Sequence, residues 1–205
     1  MTIHPKDATF KLIDTIDHST VSARHFHLPL QSGSDRILKI MNRHYDTQKY
    51  LETVDYMRNK IPDIALTTDI IVGFPGETDE DFERTLEILR KVKFDMIFSF
   101  IYSPRKGTPA AEMKNQVSAD VKSKRFEKLL EVQKEISEEI NKKFFGQTLR
   151  VLCDGISKTD SKVYSGRTDG NKIVFFNGAP SDTGCFVNVK IEKTEAFALY
   201  GHKIK

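Results

Sequence analysis

Three short loops in the first half of the chain carry the small and polar residues that could bind a ligand. Their sequences are "PLQSGS" at residues 29–34, "GFPGE" at residues 73–77 and "SPRKGTP" at residues 103–109. Each loop follows an apolar, strand-like run, and glycine lets a ligand approach the backbone closely. One such loop alone could be only a tight turn. Because ligands bind where parallel strands end at their carboxyl tips, the three loops together predict one binding site.

Several kinds of chemistry do not match these residues. The segment "GFPGET" lacks the lysine and the spacing of a phosphate-binding loop, and no dinucleotide fingerprint is present. His25 and His27 lie on one side of a strand and could bind zinc, but without a third ligand at a telling spacing a hydrogen-bonded or surface pair is favoured. Cys153 and Cys185 are expected to be buried small apolar residues. The sequence therefore predicts neither a catalytic residue nor a metal ligand in this chain.

The positive charge of the chain is concentrated near its end. Residues 1–143 contain 23 Lys and Arg against 23 Asp and Glu, whereas residues 144–205 contain 9 against 6, which leaves +3. This excess suggests an anionic partner, although a solvated surface would look the same. If the partner is RNA, the candidate contacts are basic residues of this segment: Arg150, Lys158, Arg167 and Lys172. Phe175 and Phe176 occupy opposite faces of one strand, so at least one of them is expected in the core.

Strand and helix patterns alternate through residue 143. Helices are predicted over residues 8–18, after Ser34, from about residue 47 to Pro62, after Thr78 and over residues 118–143. Strands are predicted at residues 26–30, in "IALTTDIIVG" and in "DMIFSFIYS", the last as a strand covered on both faces. Such alternation predicts a parallel sheet. Three strands and a stub at residues 1–3 make an incomplete sheet.

The pattern changes after residue 143. Short runs rich in Val, Ile, Phe and Tyr are separated by glycines, which predicts a small antiparallel β-barrel of about five strands. The sequence thus predicts two domains, residues 1–143 and residues 144–205. No apolar run approaches the ~20 residues of a membrane span, and the first residues do not form a signal peptide. With two cysteines and no disulfide framework, a cytoplasmic protein is expected.

Three segments resemble successive motifs of a known family. "HLPLQSGSDRILKIMNR", "TTDIIVGFPGETDEDFERTL" and "FSFIYSPRKGTPAAEM" are similar to motifs of the radical S-adenosylmethionine (SAM) methylthiotransferases, and most of all to the MiaB type that modifies tRNA. Residues 144–205 resemble the TRAM domain, a small RNA-binding barrel that ends these enzymes. The resemblance implies an α/β fold in which a partial βα barrel of the radical SAM type is followed by an OB-like TRAM barrel.

The resemblance also implies what the chain lacks. Intact members hold an auxiliary 4Fe-4S cluster in an N-terminal domain and a second cluster in a C-x-x-x-C-x-x-C loop, and this sequence has no such loop. The chain therefore resembles the C-terminal half, without clusters and inactive by itself. The intact enzyme would cleave SAM to a 5′-deoxyadenosyl radical and install a 2-methylthio group on N6-isopentenyladenosine next to the anticodon. Its implied partners are tRNA, through the TRAM domain, and the missing N-terminal half.

The family motifs assign a partial SAM site to the three loops. Ile71 would pack on the adenine, and Gly73 would let the adenine approach the backbone. The stretch that supports the adenine would extend to Glu77. The other loops would border the ribose, the methionyl end and the adenine edge, through residues matched by motif position alone: Pro29, Gln31, Ser32, Tyr102, Ser103 and Arg105.

Other hypotheses remain open at this point. The chain could be a non-catalytic RNA-binding module, an unrelated metal-free α/β enzyme, or a member of the threonylcarbamoyladenosine or ribosomal-protein branches of the family. The unpaired edge of an incomplete sheet is also expected to pair with a neighbouring chain, which predicts a possible dimer.

Overall fold

The computed structural model describes residues 3–158 and 160–204. Contacts divide them into two compact units. The sheet unit comprises residues up to Ser22 together with Phe26–Gln133, and the barrel unit comprises Ala23–His25 and the residues from Lys134 onward. The division falls inside a long helix, and the boundary expected at residue 143 stays a prediction. The strand stub expected at residues 1–3 lies mostly outside the described residues.

The sheet unit contains three strands and most of the helices, except for the first residue of the first strand and the last part of the final helix, which belong to the barrel unit. The strands are β1 (His25–His27), β2 (Ala65–Val72) and β3 (Met96–Ile101), in the order β1-β2-β3. The pairing of β2 with β3 is parallel, and so is the bridge from Gln31, just after β1, to Ile70. The helices are α1 (Phe10–Asp17), α2 (Asp35–Ile40), α3 (Thr47–Lys60), α4 (Asp79–Val92), α5 (Pro109–Glu112) and α6 (Ala119–Lys142), with a 3-10 turn at Pro5–Asp7. The predicted parallel sheet is confirmed.

The two faces of the sheet differ in burial. Leu66, Thr68, Ile70 and Val72 alternate along β2 and are at most 1% exposed. On the opposite face, Asp69 and Ile71 of β2 are partly accessible, and their register partners Phe98 and Phe100 are exposed. We call this second side the open face.

The expectation that β3 is covered on both faces is wrong. Phe98 is 47% exposed, Phe100 52% and Ile101 43%. The reason is that Phe98 and Phe100 lie on the open face, where Asp69 and Ile71 of the neighbouring strand are also partly accessible. The apolar composition of β3 therefore leaves large side chains accessible.

Local sequence signals explain where α4 begins. Thr78 and Asp81 form the expected capping box: the Thr78 hydroxyl accepts from the Asp81 amide, and the Asp81 carboxylate accepts from the Thr78 amide. Asp79 and Glu80 add negative charge to the first turn, where the helix dipole favours it. At α2, by contrast, Ser34 occupies the N-cap position without a side-chain capping bond. Its hydroxyl instead donates to Asp81, 2.6 Å away.

The barrel unit contains a closed five-stranded barrel. Its strands are β4 (Thr148–Ile156), β5 (Tyr164–Arg167), β6 (Ile173–Asn177), β7 (Phe186–Thr194) and β8 (Leu199–Lys203), joined in the order β4-β5-β6-β8-β7. A 3-10 turn at Pro180–Asp182 precedes β7. The predicted closure and strand number are confirmed, but one pairing, β6 with β8, is parallel, so the barrel is mixed rather than antiparallel.

Alternating burial builds the barrel core. Val151 and Cys153 of β4 point inward with Val189 and Ile191 of β7, and Phe176 is 1% exposed. Glycine is required at position 201 because the neighbouring strand lies very close to it: a Cβ there would lie 2.0 Å from the carbonyl oxygen of Lys190. Among the described residues, no helix combines the length and apolar character needed to span a membrane.

Candidate functional site

The three predicted loops follow adjacent strands and are tied together by backbone hydrogen bonds. Gln31 donates its amide to the carbonyl of Asp69 at 2.8 Å, and its own carbonyl accepts from the Ile71 amide at 2.9 Å. The Tyr102 amide donates to the carbonyl of Val72 at 2.8 Å. The carboxyl ends of β1, β2 and β3 thus form one continuous edge, as a ligand site of a parallel sheet requires.

The first loop is buried and held by neighbouring groups. Pro29, Gln31 and Ser32 are all buried, and Gln31 adopts a positive φ of 68°. Gly33 lies against helix α4: its amide donates to the Thr85 hydroxyl at 2.9 Å, and a Cβ would lie 2.5 Å from the Thr85 Cα. The loop therefore has a fixed shape, and its side chains offer little free surface.

The second loop is organised around a buried ion pair. The Glu77 carboxylate accepts from the Gly73 amide at 2.8 Å and from the Arg125 guanidinium, also at 2.8 Å. Arg125, from helix α6, also donates to Asp79 at 2.7 Å. Burial raises the pKa of Glu77, while the Gly73 amide and the charge of Arg125 act in the opposite direction. Glu77 thus holds the second loop in place through its hydrogen bond to Gly73 and its ion pair with Arg125.

Gly73 has a close neighbour within this chain. Its φ is +73°, and a Cβ there would lie 2.4 Å from the Cγ of Lys122. The Lys122 ammonium donates to the Tyr102 carbonyl at 3.0 Å and lies 5.1 Å from the centre of the Tyr102 ring. The space left by the missing side chain is therefore bordered by a lysine stem, and the approach of an adenine at Gly73 stays a prediction.

Asp81 connects the second loop to the first. Its carboxylate accepts from Ser34, from the Thr78 amide and hydroxyl at 2.9 Å each, and from Arg36, which also donates to the Gly76 carbonyl at 2.6 Å. Burial by itself would raise the pKa of Asp81, but the hydrogen bonds from Arg36, Ser34 and Thr78 outweigh it and hold that pKa well below its usual range.

The third loop is more accessible. Ser103 and Arg105 are exposed, whereas Tyr102 is half-buried and its ring packs edge-on against Phe74 at 5.1 Å. The Tyr102 hydroxyl is buried and has no hydrogen-bond partner among the residues that the structure describes. A buried polar group without a partner is a position where a ligand can bind.

The open face places Ile71, which the sequence analysis assigned to the site, beside residues that it did not assign, including Phe100 and Asp69. Ile71 and Phe100 are register partners and form an apolar ledge next to the loops. Below it, the ring nitrogens of His27 lie 2.9 Å from the Thr67 hydroxyl and 3.4 Å from the Asp69 carboxylate, and the ring packs edge-on against Phe98. The period of two along β2 and β3 could have revealed Asp69 and Phe100.

The residues fit a nucleoside better than a metal. A planar base can pack on the Ile71–Phe100 ledge, and the Tyr102 hydroxyl can bond to a polar group of the same ligand. Within residues 3–158 and 160–204, no group of three or more His, Cys, Asp and Glu side chains could hold a metal ion. Cys153 is buried as expected, but Cys185 is exposed, and a cluster needs several thiolates.

The four residues predicted to contact RNA lie at different positions in the barrel unit. Arg150 and Arg167 lie on the outside of β4 and β5, whereas Lys158 is exposed after β4 and Lys172 is half-buried before β6. The Arg150 guanidinium stacks 3.6 Å from the centre of the exposed Phe186 ring. Leu152 pairs in register with Arg167 on one side and Phe186 on the other. We call Arg150, Leu152, Arg167 and Phe186 the β4 face.

Two family models match the chain, one in each unit's region. Residues 3–89 match the Radical SAM superfamily and residues 142–204 match the TRAM domain. The fold agrees with this assignment: coproporphyrinogen III oxidase (HemN) from Escherichia coli superimposes with a TM-score of 0.57 over 82% of this chain and 45% of that chain, at 12% identity. The protein therefore combines part of a radical SAM fold with a TRAM domain.

Curated relatives make the assignment more specific. The chain is 50% identical over 204 residues to the tRNA-2-methylthio-N(6)-dimethylallyladenosine synthase of Acetivibrio thermocellus, matching 100% of this chain and 42% of the relative. The synthases of Alkaliphilus oremlandii and Clostridium tetani are also 50% identical, with 44% and 45% of their lengths matched. Over its whole length the chain is therefore similar to the C-terminal part of these synthases, and it spans less than half of their length.

Proposed function

We propose that this chain is the C-terminal part of an enzyme that adds a 2-methylthio group to N6-isopentenyladenosine (N6-dimethylallyladenosine) next to the anticodon of tRNA. The observation that carries this proposal is the 50% identity along the whole chain to synthases of that name. The threonylcarbamoyladenosine and ribosomal-protein branches, and a non-catalytic RNA-binding module, are the alternatives that an activity measurement must separate.

The sheet unit would bind SAM from one side. Bound SAM supplies a carbon radical when a reduced iron–sulfur cluster cleaves it. In this chain, Ile71 and Phe100 would support the adenine, and the Tyr102 hydroxyl would bond to the nucleoside. Ser103 and Arg105 would border the open side, while Pro29, Gln31, Ser32, Gly73 and Glu77 would fix the shape of the floor. The cluster cysteines would lie in the N-terminal part that these relatives possess and this chain does not cover, so the chain alone would be inactive.

The barrel unit would bind tRNA through the β4 face. Arg150 and Arg167 provide positive charge for phosphates, and the exposed Phe186 ring, 52% accessible, provides a surface for stacking. The guanidinium of Arg150 is already stacked on that ring, so the two groups present charge and aromatic area together. An intact enzyme of this kind would work in the cytoplasm, where its tRNA substrate is found.

Removing the aromatic or the cation of the β4 face should weaken tRNA binding in distinguishable ways. For Phe186→Ala we expect a loss of about 5- to 150-fold, the range for one base stacked on an aromatic ring. For Arg150→Ala we expect weaker binding and a salt slope reduced by about one. Filter binding of labelled tRNA over a salt titration measures both effects.

The control for this experiment is Phe10→Ala, which removes a similarly exposed aromatic ring from the sheet unit. Its affinity for tRNA should equal that of the unchanged chain. Failure of the unchanged chain to bind tRNA at low salt would contradict the RNA-binding part of the proposal.

The edge of the sheet offers a further contact in solution. Phe98, Phe100 and Ile101 are all exposed on β3, and an apolar edge strand favours pairing with another chain. We propose that the isolated chain dimerises through this edge. Analytical ultracentrifugation of the unchanged chain and of the Ile101→Lys variant tests this proposal. An unchanged chain that stays monomeric at high concentration would contradict it.

A further inference from the structure

Two cavities on the barrel unit share one tyrosine. The first has a volume of about 570 Å³ and lies between the end of α6 and the β7–β8 hairpin, and the second, of about 550 Å³, lies beside β6 and β8. The Tyr200 side chain lines both of them. Each volume falls in the range of about 300–1,000 Å³ that is typical of small-ligand sites. None of the β4-face residues lines either cavity.

The Tyr200 ring is held in place before any ligand binds. It stacks on Phe175, its register partner on β6, with ring centres 5.4 Å apart and planes 26° apart. Its hydroxyl donates to Glu195 at 3.1 Å, and the Lys193 ammonium lies 5.2 Å from the ring centre. A ring fixed in this way loses little conformational entropy when a ligand group packs against its edge.

The hairpin that walls the first cavity is also fixed. The buried Asn141 amide donates to the carbonyls of Glu195 and Ala196, at 2.7 and 3.0 Å. This anchor leaves Phe197 at the tip 60% exposed beside the cavity. A rigid hairpin that presents an aromatic ring to solvent is suited to contact a flexible partner.

The polar groups of the two cavities suit the edges and the backbone of a nucleic-acid strand. Lys134 and Lys142 line the first cavity, whereas Asn177 and His202 line the second. The acidic Glu138 and Glu195 also line the first cavity, and they pair with Lys134 at 3.9 Å and with Lys193 at 2.6 Å. Because these local charges largely balance, stacking rather than phosphate attraction would provide most of the affinity.

We propose that the two cavities form a track for single-stranded RNA, with one base in each cavity and the Tyr200 side chain as their shared wall, separate from the β4 face. This inference rests on the proposed function in one respect, that the barrel unit binds RNA. The occupant is a single strand because a base that enters either cavity must be free of its own neighbours. The track gives the barrel two RNA contacts, one driven by charge and one by stacking.

The test uses the full chain and a fluorescent single-stranded RNA of about 12 nucleotides, within the site sizes of single-strand-binding barrels. Tyr200→Ala should weaken binding by about 5- to 150-fold at every salt concentration, with an unchanged salt slope. Tyr200→Phe keeps the ring and should bind within about twofold of the unchanged chain. Arg150→Ala should instead change the salt slope.

The outcomes separate this inference from the proposed function. Equal affinity of Tyr200→Ala and the unchanged chain, with a loss for Arg150→Ala, would overturn the track and leave the β4 face in place. Absence of binding by the unchanged chain would overturn both. Should Tyr200→Ala fail to fold, ultraviolet crosslinking of the unchanged chain to 4-thiouridine RNA decides: crosslinks at Tyr200 or Phe197 support the track, and crosslinks confined to the β4 face overturn it.

Discussion

Arg125→Ala is expected to destabilise the sheet unit by about 3–5 kcal/mol, the cost of removing one partner from a buried ion pair. The Arg125 side chain is 8% exposed and that of Glu77 only 2%, so the carboxylate would stay buried with no cation beside it. Glu77 holds the Gly73 amide, and the whole turn after β2 depends on that contact. The largest local change should therefore occur at residues 73–77.

Urea unfolding followed by circular dichroism measures this effect, because the chain has no tryptophan for fluorescence. The matched control is Lys128→Ala on the same helix, whose partner Glu131 is 59% exposed, and it should leave the unfolding midpoint unchanged. A double variant, Arg125→Met with Glu77→Gln, should recover part of the loss because it removes both charges together. Equal midpoints for Arg125→Ala and Lys128→Ala would contradict the proposed role of this pair.

Asp81→Asn is expected to cost about 3 kcal/mol at neutral pH, since it removes the charge from several hydrogen bonds at once. The Asp81 side chain is 4% exposed and serves as capping partner of α4 and as acceptor for Ser34 and Arg36. An asparagine amide would keep one acceptor oxygen, but its nitrogen would face the Arg36 guanidinium together with either the Thr78 amide or the Ser34 hydroxyl.

The same carboxylate predicts a pH dependence. The pKa of Asp81 is lowered in the folded chain, so its stabilising contribution is complete above the unfolded value near 4. That contribution is lost as the pH falls through about 4 towards the lower folded pKa. The difference in unfolding midpoint between the unchanged chain and Asp81→Asn should therefore be largest at about pH 6 and shrink by about pH 3. A difference that is constant over this range would contradict the assignment.

The sequence predicted those features that depend on local spacing. The capping box of Thr78 and Asp81 follows from residues three positions apart, and the alternation of strands and helices predicted the parallel sheet. It did not predict the contacts of Arg125 and Lys122, because these side chains reach the second loop from a helix more than 40 residues further along the chain.

Tertiary position accounts for the remaining differences. The apolar sequence of β3 predicted burial on both faces, but burial depends on what packs against each face, and Phe98 and Phe100 lie on the open face. Likewise, β6 and β8 are not consecutive in the sequence, and the positions of the glycines do not predict that these two strands pair in parallel. The sequence analysis did not propose Phe186 as an RNA contact because only the register of β4 with β7 places it beside Leu152 and Arg150.

The most direct test of the proposed function is a chimera in which this chain replaces the C-terminal part of the Acetivibrio thermocellus synthase, to which it is 50% identical. The chimera would be expressed in bacteria that lack their own methylthiotransferase, and nucleosides from digested tRNA would be analysed by mass spectrometry. We expect 2-methylthio-N6-isopentenyladenosine in this tRNA. Recovery of N6-isopentenyladenosine alone, from cells in which the chimera is folded and carries both clusters, would contradict the account.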